Sequence, residues 1–329
     1  MQIIQKHKLI IYAILIALII LVLGLAAKIF IPFKIERGGQ IIVTVDKGQG
    51  LLSISRELQR EGVIDSPFLF RILVTLRGEE NTVPAGFYQF ADGKKKVKIS
   101  LNEVVRRLVT GDSGFKAVKL TIPEGLNVMQ IAAKVHAEIP SISETDFASS
   151  SRSYEGYLFP DTYYFMPYAT SGEIITKMQN TFNQKVLQNQ EFNAAVASSG
   201  HSLSDVVKMA SILEGEVRTL EDRKIVSDLL WRRIENGMAL QVDATFSYIN
   251  QKTSAELTLS DLKIDSLYNT YKYRGLPPTP ISSPGLETLM AAVQPTPNKY
   301  VFFLNDKDGT SHFSITYAEH LRLKNKYLK

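Results

Sequence analysis

The sequence predicts a mixed α+β protein that is attached to a membrane by an N-terminal transmembrane helix. Three observations lead to this fold class: a charge-free apolar run near the N-terminus, a strand–turn–helix pattern that occurs twice, and a long C-terminal part with helical periodicity followed by most of the prolines. A chain of 329 residues is long enough for two or three domains. We therefore expect one membrane anchor followed by several small folded parts.

The predicted anchor is the apolar run Leu9–Ala27, which contains no charged residue. A helix of about 20 such residues crosses the hydrocarbon core and satisfies its own backbone hydrogen bonds there. Residues 6–8 are Lys, His and Lys, and basic residues stay on the cytoplasmic side. We therefore predict a cytoplasmic tail over residues 1–8, a transmembrane segment over 9–31, and the rest of the chain outside the cytoplasm.

A cleaved signal peptide is the alternative to an uncleaved anchor. The sequence Gly24-Leu25-Ala26 matches a small-x-small cleavage site. The apolar run before this site is longer than the apolar region of most signal peptides, which favours the anchor.

Composition and missing motifs exclude several classes of chemistry. The chain has no cysteine, which excludes disulfides, thiolate metal sites and a cysteine nucleophile. It lacks a phosphate-binding loop, a nucleophile elbow and a zinc-protease motif, and His312 and His320 do not have the spacing of a metal site. The net charge of +5 is a mild excess. We therefore expect no metal, cofactor or nucleic-acid partner, whereas an anionic envelope polymer or membrane surface is compatible with the charge.

The strand–turn–helix pattern occurs first at Ile41–Val45, followed by a helix over Leu51–Glu61, and again at Val118–Ile122, followed by a helix from Val128. A short strand at Gly86–Phe90 and a helix over Leu101–Val109 are predicted between the two units.

Residues 140–153 are rich in serine and carry few large apolar side chains, so we interpret them as a connector. The predicted parts are therefore a module over 40–112, a strand–helix unit with this connector over 113–153, and a final domain over 154–329.

The most informative helix is predicted over Leu203–Val217, where apolar residues cover nearly every side, as in a buried helix. Glu214 shares a stripe with apolar neighbours, and loss of hydration there favours the protonated carboxyl that a general acid needs. Glu216 lies two residues on, on nearly the opposite side of the helix. A glutamate near a helix end is also commonly an ion-pair partner, and three cations follow closely: Arg218, Arg223 and Lys224.

Two further segments combine polar side chains with apolar or aromatic neighbours. The segment Glu155–Phe165 contains Glu155, Tyr157 and Asp161 among many aromatics, which suit sugar binding or a protein core equally. In the second segment, Leu240–Thr245, Gln241 and Asp243 alternate with apolar residues. This alternation places both on one face of a short extended segment, which is either a binding face or the solvent face of a strand.

The C-terminal part contains a proline-rich stretch and a hairpin pattern. Asn269 and Tyr271 precede the stretch Gly275–Gly285, whose prolines predict a rigid loop that is either functional or a plain connector. A strand at Phe302–Leu304, a turn and then His312 predict a hairpin.

Together these segments resemble the endolytic murein transglycosylases, the YceG-like family. The matching stretches, in chain order, are Glu155–Tyr163, Ala210–Glu216, Leu240–Thr245, Tyr268–Tyr271, Gly275–Gly285 and His312-Phe313. The resemblance implies a single-pass protein of the inner (cytoplasmic) membrane with a catalytic domain outside the cytoplasm. It also implies a small module similar to the LysM glycan-binding fold near residues 41–109.

The resemblance implies that Glu214 is the catalytic residue, with Gly215 where relatives often carry lysine. The polar residues of the matching stretches are then predicted to bind substrate: Glu155, Tyr157, Asp161, Glu216, Gln241, Asp243, Asn269, Tyr271 and His312. The partners implied are peptidoglycan glycan strands, the membrane and cell-wall synthases.

The implied reaction is non-hydrolytic cleavage of the MurNAc–GlcNAc β-1,4 bond in nascent strands, which ends their elongation. The muramic C6 hydroxyl attacks the anomeric carbon and forms a 1,6-anhydro ring, so one carboxyl is enough. A lysozyme-like hydrolase is the alternative enzyme, with Asp161 or Asp243 as a second carboxylate. A non-catalytic glycan-binding scaffold for cell-wall synthesis is the alternative from another class.

Overall fold

The first structural element is a single long helix, as the apolar run predicted. The structure, a computed structural model, describes residues 2–35, 39–78, 83–93, 97–252 and 256–328, with side chains from residue 9 onward. Helix α1 is Gln2–Phe30, and its part Leu9–Phe30 has a mean hydropathy of 3.2 with no share buried. The helix is therefore long and apolar enough to cross a membrane.

The chain forms two compact units, Met1–Lys116 and Ala117–Lys329. Besides α1, the first unit contains β1 (Phe33–Lys34), β2 (Gln40–Val45), α2 (Leu51–Arg60), α3 (Pro67–Leu76), β3 (Gly86–Asp92), β4 (Lys98–Ile99) and α4 (Leu101–Thr110). Strands β2 and β3 pair antiparallel, as do β1 and β4.

The core of the first unit lies between the β2–β3 pair and the helices. In β2 the side chains alternate strictly, with Ile41, Val43 and Val45 buried and their neighbours exposed. The predicted strands and helices of this unit are confirmed. Helix α3 was not predicted, although Ser66 caps its first turn by accepting from the Leu69 amide.

The second unit is mainly helical and has two small antiparallel sheets, β5–β6 and β7–β8. Its elements are β5 (Val118–Thr121), α5 (Val128–Glu138), α6 (Glu144–Ser151), β6 (Thr162–Phe165), α7 (Ser171–Phe182), α8 (Gln190–Ser199), α9 (Leu203–Glu216), α10 (Leu220–Glu235), α11 (Ala244–Asn250), α12 (Leu286–Val293), β7 (Phe302–Asn305), β8 (Ser311–Ser314) and α13 (Tyr317–Tyr327). Helix α7 continues into one π-helical turn, Asn183–Leu187.

The predicted boundary at residue 153 is not a boundary in the structure. Strand β5 pairs with β6, so the strand–helix unit predicted over 113–153 packs, from Ala117 onward, with the residues that follow it. The predicted connector over 140–153 contains helix α6, whose Phe147 is fully buried. Its serines obscured the helix in the sequence because Ser143 acts as its N-cap and the Ser151 hydroxyl donates to the Phe147 carbonyl.

Helix α9 lies at the centre of the second unit, which is the buried position that its apolar pattern predicted. Ser202 caps its start, and every residue from Val206 to Leu213 except Lys208 is buried. The proline-rich loop lies along this helix. The Ile281 amide donates to the Ser211 hydroxyl (3.0 Å), and the Ser282 hydroxyl donates to the Ser211 carbonyl (3.1 Å). The loop is thereby fixed next to the end of α9 that carries Glu214.

Candidate active site

Glu214 lies in the last turn of α9, and its side chain is 4% exposed. Its Oε1 atom accepts from Arg223 Nη2 of α10 at 2.6 Å. Its Oε2 atom accepts from the Gly285 amide at 3.0 Å and from the Thr288 hydroxyl at 2.6 Å. Gly285 is the N-cap of α12, so the partially positive end of that helix also faces the carboxylate.

These contacts change the interpretation of Glu214 that its apolar stripe suggested. The helix is buried among apolar residues, but the carboxyl group itself is surrounded by donors. Three donors, one of them a guanidinium, fix the position of this carboxyl group. The ion pair with Arg223 was the alternative left open by the sequence, and the structure contains it. Arg223 is fixed in turn, because its Nε donates to the Val217 carbonyl at 3.1 Å.

A second carboxyl, Glu124, lies beside this group. It belongs to the turn between β5 and α5, which is fixed by two backbone hydrogen bonds: Gly125 N to Ser283 O (2.9 Å) and Ser283 N to Leu126 O (2.8 Å). A Cβ atom placed on Gly285 would lie only 1.8 Å from Glu124 Oε1. Partial burial and then the negative charge of Glu214 raise the pKa of Glu124. The sequence showed Glu124 only as part of a turn, about 90 residues before Glu214, and gave no signal that the two would meet.

Glu216 lies in a different cluster from Glu214, as its place on the helix predicted. Its carboxyl accepts from the Ala244 amide at 2.7 Å, and the Tyr271 hydroxyl donates to Asp243 at 2.6 Å. Burial, and secondarily the charge of Asp243, raise the pKa of Glu216 to about 7. The structure therefore brings three predicted site residues together, Glu216, Asp243 and Tyr271.

The segment around Gln241 is not extended as predicted. Gln241 has a φ of +53°, a left-handed conformation that interrupts an extended chain. Its amide donates to the Thr270 carbonyl at 3.1 Å, while its side chain faces solvent. Asn269 is fully buried, and its amide group donates to the Leu262 and Ile264 carbonyls at 3.0 and 2.9 Å. In this conformation Asn269 holds the loop that supports Tyr271.

The predicted site residues near β6 are engaged in contacts within the unit. Glu155 is 4% exposed, and its two oxygens accept from the Val128 amide at the start of α5, at 3.1 and 3.2 Å. Burial raises the pKa of Glu155 to about 7. Tyr157 packs edge-on against Phe182 with ring centroids 5.3 Å apart. Asp161 forms an ion pair with Lys185 at 2.8 Å.

His312 lies in β8, and its Nε2 is 2.9 Å from Asp306 in the hairpin turn. The imidazole stacks on Tyr327 of α13 with centroids 3.8 Å apart. Within the part of the chain that the structure describes, no group of three or more His, Asp or Glu side chains is arranged to hold a metal ion.

The raised pKa values of Glu155 and Glu216 predict a pH-dependent stability. Each carboxyl has a folded pKa of about 7, above its reference value of 4.5, so the stabilisation is fully present below about pH 4.5 and is lost as pH rises through about 7. One such group changes the free energy of unfolding by at most about 1.4 kcal/mol per pH unit. We expect the free energy of unfolding to fall by about 2 kcal/mol or more between pH 5 and 7.5, measured by denaturant unfolding.

The variants Glu155→Gln and Glu216→Gln test the cause, because glutamine stays neutral at every pH. Each variant should make the decline shallower, whereas Glu191→Gln on the exposed side of α8 should leave the slope unchanged. An unchanged slope in both buried variants would contradict the assignment.

The fold and the Glu214 cluster define a class of protein: an α+β protein with an N-terminal helix able to span a membrane and a carboxylate site at the centre of its C-terminal unit. The YceG-like family model matches residues 43–326, so the chain belongs to the YceG-like family.

Two curated relatives and one solved structure are similar to the chain. An endolytic murein transglycosylase of Bacillus subtilis is 29% identical over 324 residues, covering 90% of this chain and 87% of the relative. One of Streptococcus pneumoniae is 24% identical and covers 89% of this chain, which spans 59% of that longer relative. The crystal structure of a YceG-like protein from Listeria monocytogenes is 28% identical, covers 88% of this chain and 100% of the other, and has a TM-score of 0.57.

Proposed function

We propose that the protein is an endolytic lytic transglycosylase that cuts the MurNAc–GlcNAc β-1,4 bonds of peptidoglycan strands. The observation that carries the proposal is Glu214, a carboxyl group with a nearly buried side chain whose position is fixed by donors from α10 and α12. The names of the relatives support the same activity. A fixed carboxyl is what acid–base catalysis at a glycosidic bond requires.

In the proposed reaction Glu214 acts twice. It first gives a proton to the glycosidic oxygen, and the C–O bond to the anomeric carbon breaks as the GlcNAc hydroxyl leaves. The resulting carboxylate then accepts the proton of the muramic C6 hydroxyl, whose oxygen attacks the same carbon and closes the 1,6-anhydro ring. Arg223, Thr288 and the Gly285 amide stabilise the carboxylate between the two proton transfers.

A hydrolase is the second candidate, because the structure places Glu124 near Glu214. The sequence had offered Asp161 and Asp243 as the second carboxylate of a hydrolase. These two residues are bound instead to Lys185 and Tyr271. Glu124 and Glu214 both lie against Gly285. Most glycoside hydrolases use a pair of carboxyl groups.

Product analysis distinguishes the two reactions. We would incubate the full chain, in detergent, with purified uncrosslinked glycan strands and examine the fragments by mass spectrometry. Transglycosylation gives fragments ending in 1,6-anhydro-muramic acid, which is the expected result, and internal cuts should give fragments of many lengths. Reducing-end fragments would indicate hydrolysis, and intact strands would reject an enzyme acting on glycan alone and favour a scaffold.

We further propose that α1 anchors the protein in the inner (cytoplasmic) membrane, with the N-terminus in the cytoplasm and the catalytic unit outside. The apolar helix and the basic residues before it support this orientation. The first unit would hold glycan in the manner of a LysM-like module, as the family resemblance implies. In this position the enzyme would act on nascent strands beside the cell-wall synthases and end their elongation.

A further inference from the structure

The proposed reaction needs one carboxyl, but two carboxyls share one backbone position in this structure. Gly285 donates its amide to Glu214 Oε2 at 3.0 Å, and its Cα lies against Glu124 Oε1, where a Cβ atom would come within 1.8 Å. With standard bond lengths, this shared contact limits the distance between the two carboxyl oxygens to no more than about 8 Å. Only glycine at position 285 allows this approach without displacing Glu124.

The two carboxyls differ in access to solvent. The Glu214 side chain is 4% exposed, whereas Glu124 lies in an exposed turn. The turn itself is held by the paired hydrogen bonds between Gly125, Leu126 and Ser283. Glu124 is therefore a solvent-accessible acid at a fixed position in front of a nearly buried one.

The surroundings of Glu124 favour its protonated form. Glu214 accepts from the Arg223 guanidinium, the Gly285 amide and the Thr288 hydroxyl, which fix its carboxyl group in place. Glu124 faces two negative groups, Glu214 and Glu287, against the single cation Arg223, and its pKa is raised, mainly by burial. Two neighbouring carboxylates repel each other, so the negative charge of Glu214 makes Glu124 hold its proton more tightly.

We propose that Glu124 is the proton donor that loads Glu214 before glycan cleavage, so that the two residues share one proton. This inference rests on the proposed acid–base function of Glu214 and adds a positioning residue to it. Glu214 must be protonated to begin the reaction, its side chain is nearly closed off from solvent, and Glu124 is the neighbouring acid that solvent reaches.

The proton transfer balances without any other reactant. The O–H bond of Glu124 breaks and an O–H bond forms on Glu214, with water carrying the proton across the gap between the two groups, which leaves Glu124 as the carboxylate. Glu214 then gives the proton to the glycosidic oxygen and recovers one from the C6 hydroxyl. The pair therefore holds one proton before and after each cleavage.

The test is the pH–rate profile of Glu124→Gln in the full chain, measured by release of anhydro ends. Without the second acid, the loss of activity at high pH should begin about one pH unit lower, because removing a negative neighbour makes protonation of the remaining acid harder. On that basic side we expect kcat to fall about tenfold with KM nearly unchanged. Glu124→Asp should restore part of the rate.

Glu287→Gln is the matched control, since it removes a negative charge that also acts on Glu124 but comes from the exposed side of α12. It should shift the profile less than Glu124→Gln does. An equal shift in both variants would mean that only the net charge matters and would overturn the proposal.

Gly285→Ala tests the geometry without removing a charge. The φ of −75° at this position accepts alanine, so the added Cβ should push the flexible end of Glu124 away while the fold is kept. We expect the same shift of the profile as in Glu124→Gln. Gly172→Ala, at a helix start with open space around it, should leave rate and profile unchanged.

A measurement that needs no activity separates this proposal from the proposed function. The side-chain carboxyl of Glu124 can be titrated by carbon-13 NMR in the full chain and again in Glu214→Gln. Its midpoint should fall in the variant, because the negative charge of Glu214 is removed. An unchanged midpoint overturns the coupling even if the enzyme is active. A fall in the midpoint without any glycan cleavage supports the coupling while the proposed function fails.

Discussion

Glu214→Gln should abolish glycan cleavage, with kcat lowered by at least about 100-fold. Glutamine has nearly the same shape, and its oxygen can still accept from Arg223 while its NH2 group donates to the Thr288 hydroxyl, but it cannot donate an acidic proton or take one from the C6 hydroxyl. The measurement is the rate at which anhydro-muramic ends appear from uncrosslinked strands, followed by mass spectrometry.

The control for this prediction is Glu221→Gln, which changes an exposed glutamate in the first turn of α10. This variant should retain the full cleavage rate, which would show that loss of a carboxylate elsewhere does not stop glycan cleavage. Glu214→Gln should still bind glycan, because the substitution removes the acid–base group and leaves the shape of the site unchanged. Cleavage at the normal rate by Glu214→Gln would assign the catalyst to another residue.

Arg223→Met should have a large effect on stability and lower the free energy of unfolding by about 3 kcal/mol or more. The Arg223 and Glu214 side chains are 11% and 4% exposed, so removing the cation leaves a nearly buried carboxylate without its charged partner. The same change also removes the hydrogen bond to the Val217 carbonyl. Fluorescence of Trp231, the only tryptophan of the chain, reports unfolding of the unit that contains the site.

A double variant separates the ion pair from simple loss of packing. Adding Glu214→Gln to Arg223→Met removes the unpaired charge, so part of the lost stability should return. Arg232→Met is a matched change on the same helix at a more exposed ion pair, where side chains are 33% and 16% exposed, and should cost less. Equal losses in both arginine variants, with no recovery in the double variant, would contradict a stabilising role for the Arg223–Glu214 pair.

The elements that the sequence predicted correctly are those whose patterns depend on one face being buried. Strand β2 alternates because one side packs on a core, and α9 is apolar because helices surround it. Helix α6 was not predicted, for a different reason. In α6 the serines serve as a cap and as internal hydrogen-bond donors, which resembles a loop in composition.

Among the site residues, the sequence separated Glu214 from Glu216 correctly, because two residues along a helix turn a side chain through about 200°. It predicted binding roles for Glu155, Asp161 and Asn269 from their place in motifs, and these remain predictions for the substrate complex. In the structure their polar atoms are bound to Val128, Lys185 and two loop carbonyls. Motif membership alone could not show which polar groups are already satisfied within the fold.

The sequence by itself determined the apolar length of the first helix and the buried helix α9, because hydrophobic length and helical period are local properties, and it predicted Glu214 as the catalyst through the family resemblance. Only the tertiary structure decided the surroundings of that glutamate. Arg223, Thr288, Gly285 and Glu124 come from three parts of the chain, α10, the start of α12 and the turn before α5, and meet around one carboxyl. The chemistry of an acid depends on its neighbours in space. Packing of the chain brings these neighbours together, and the order of residues does not show that packing.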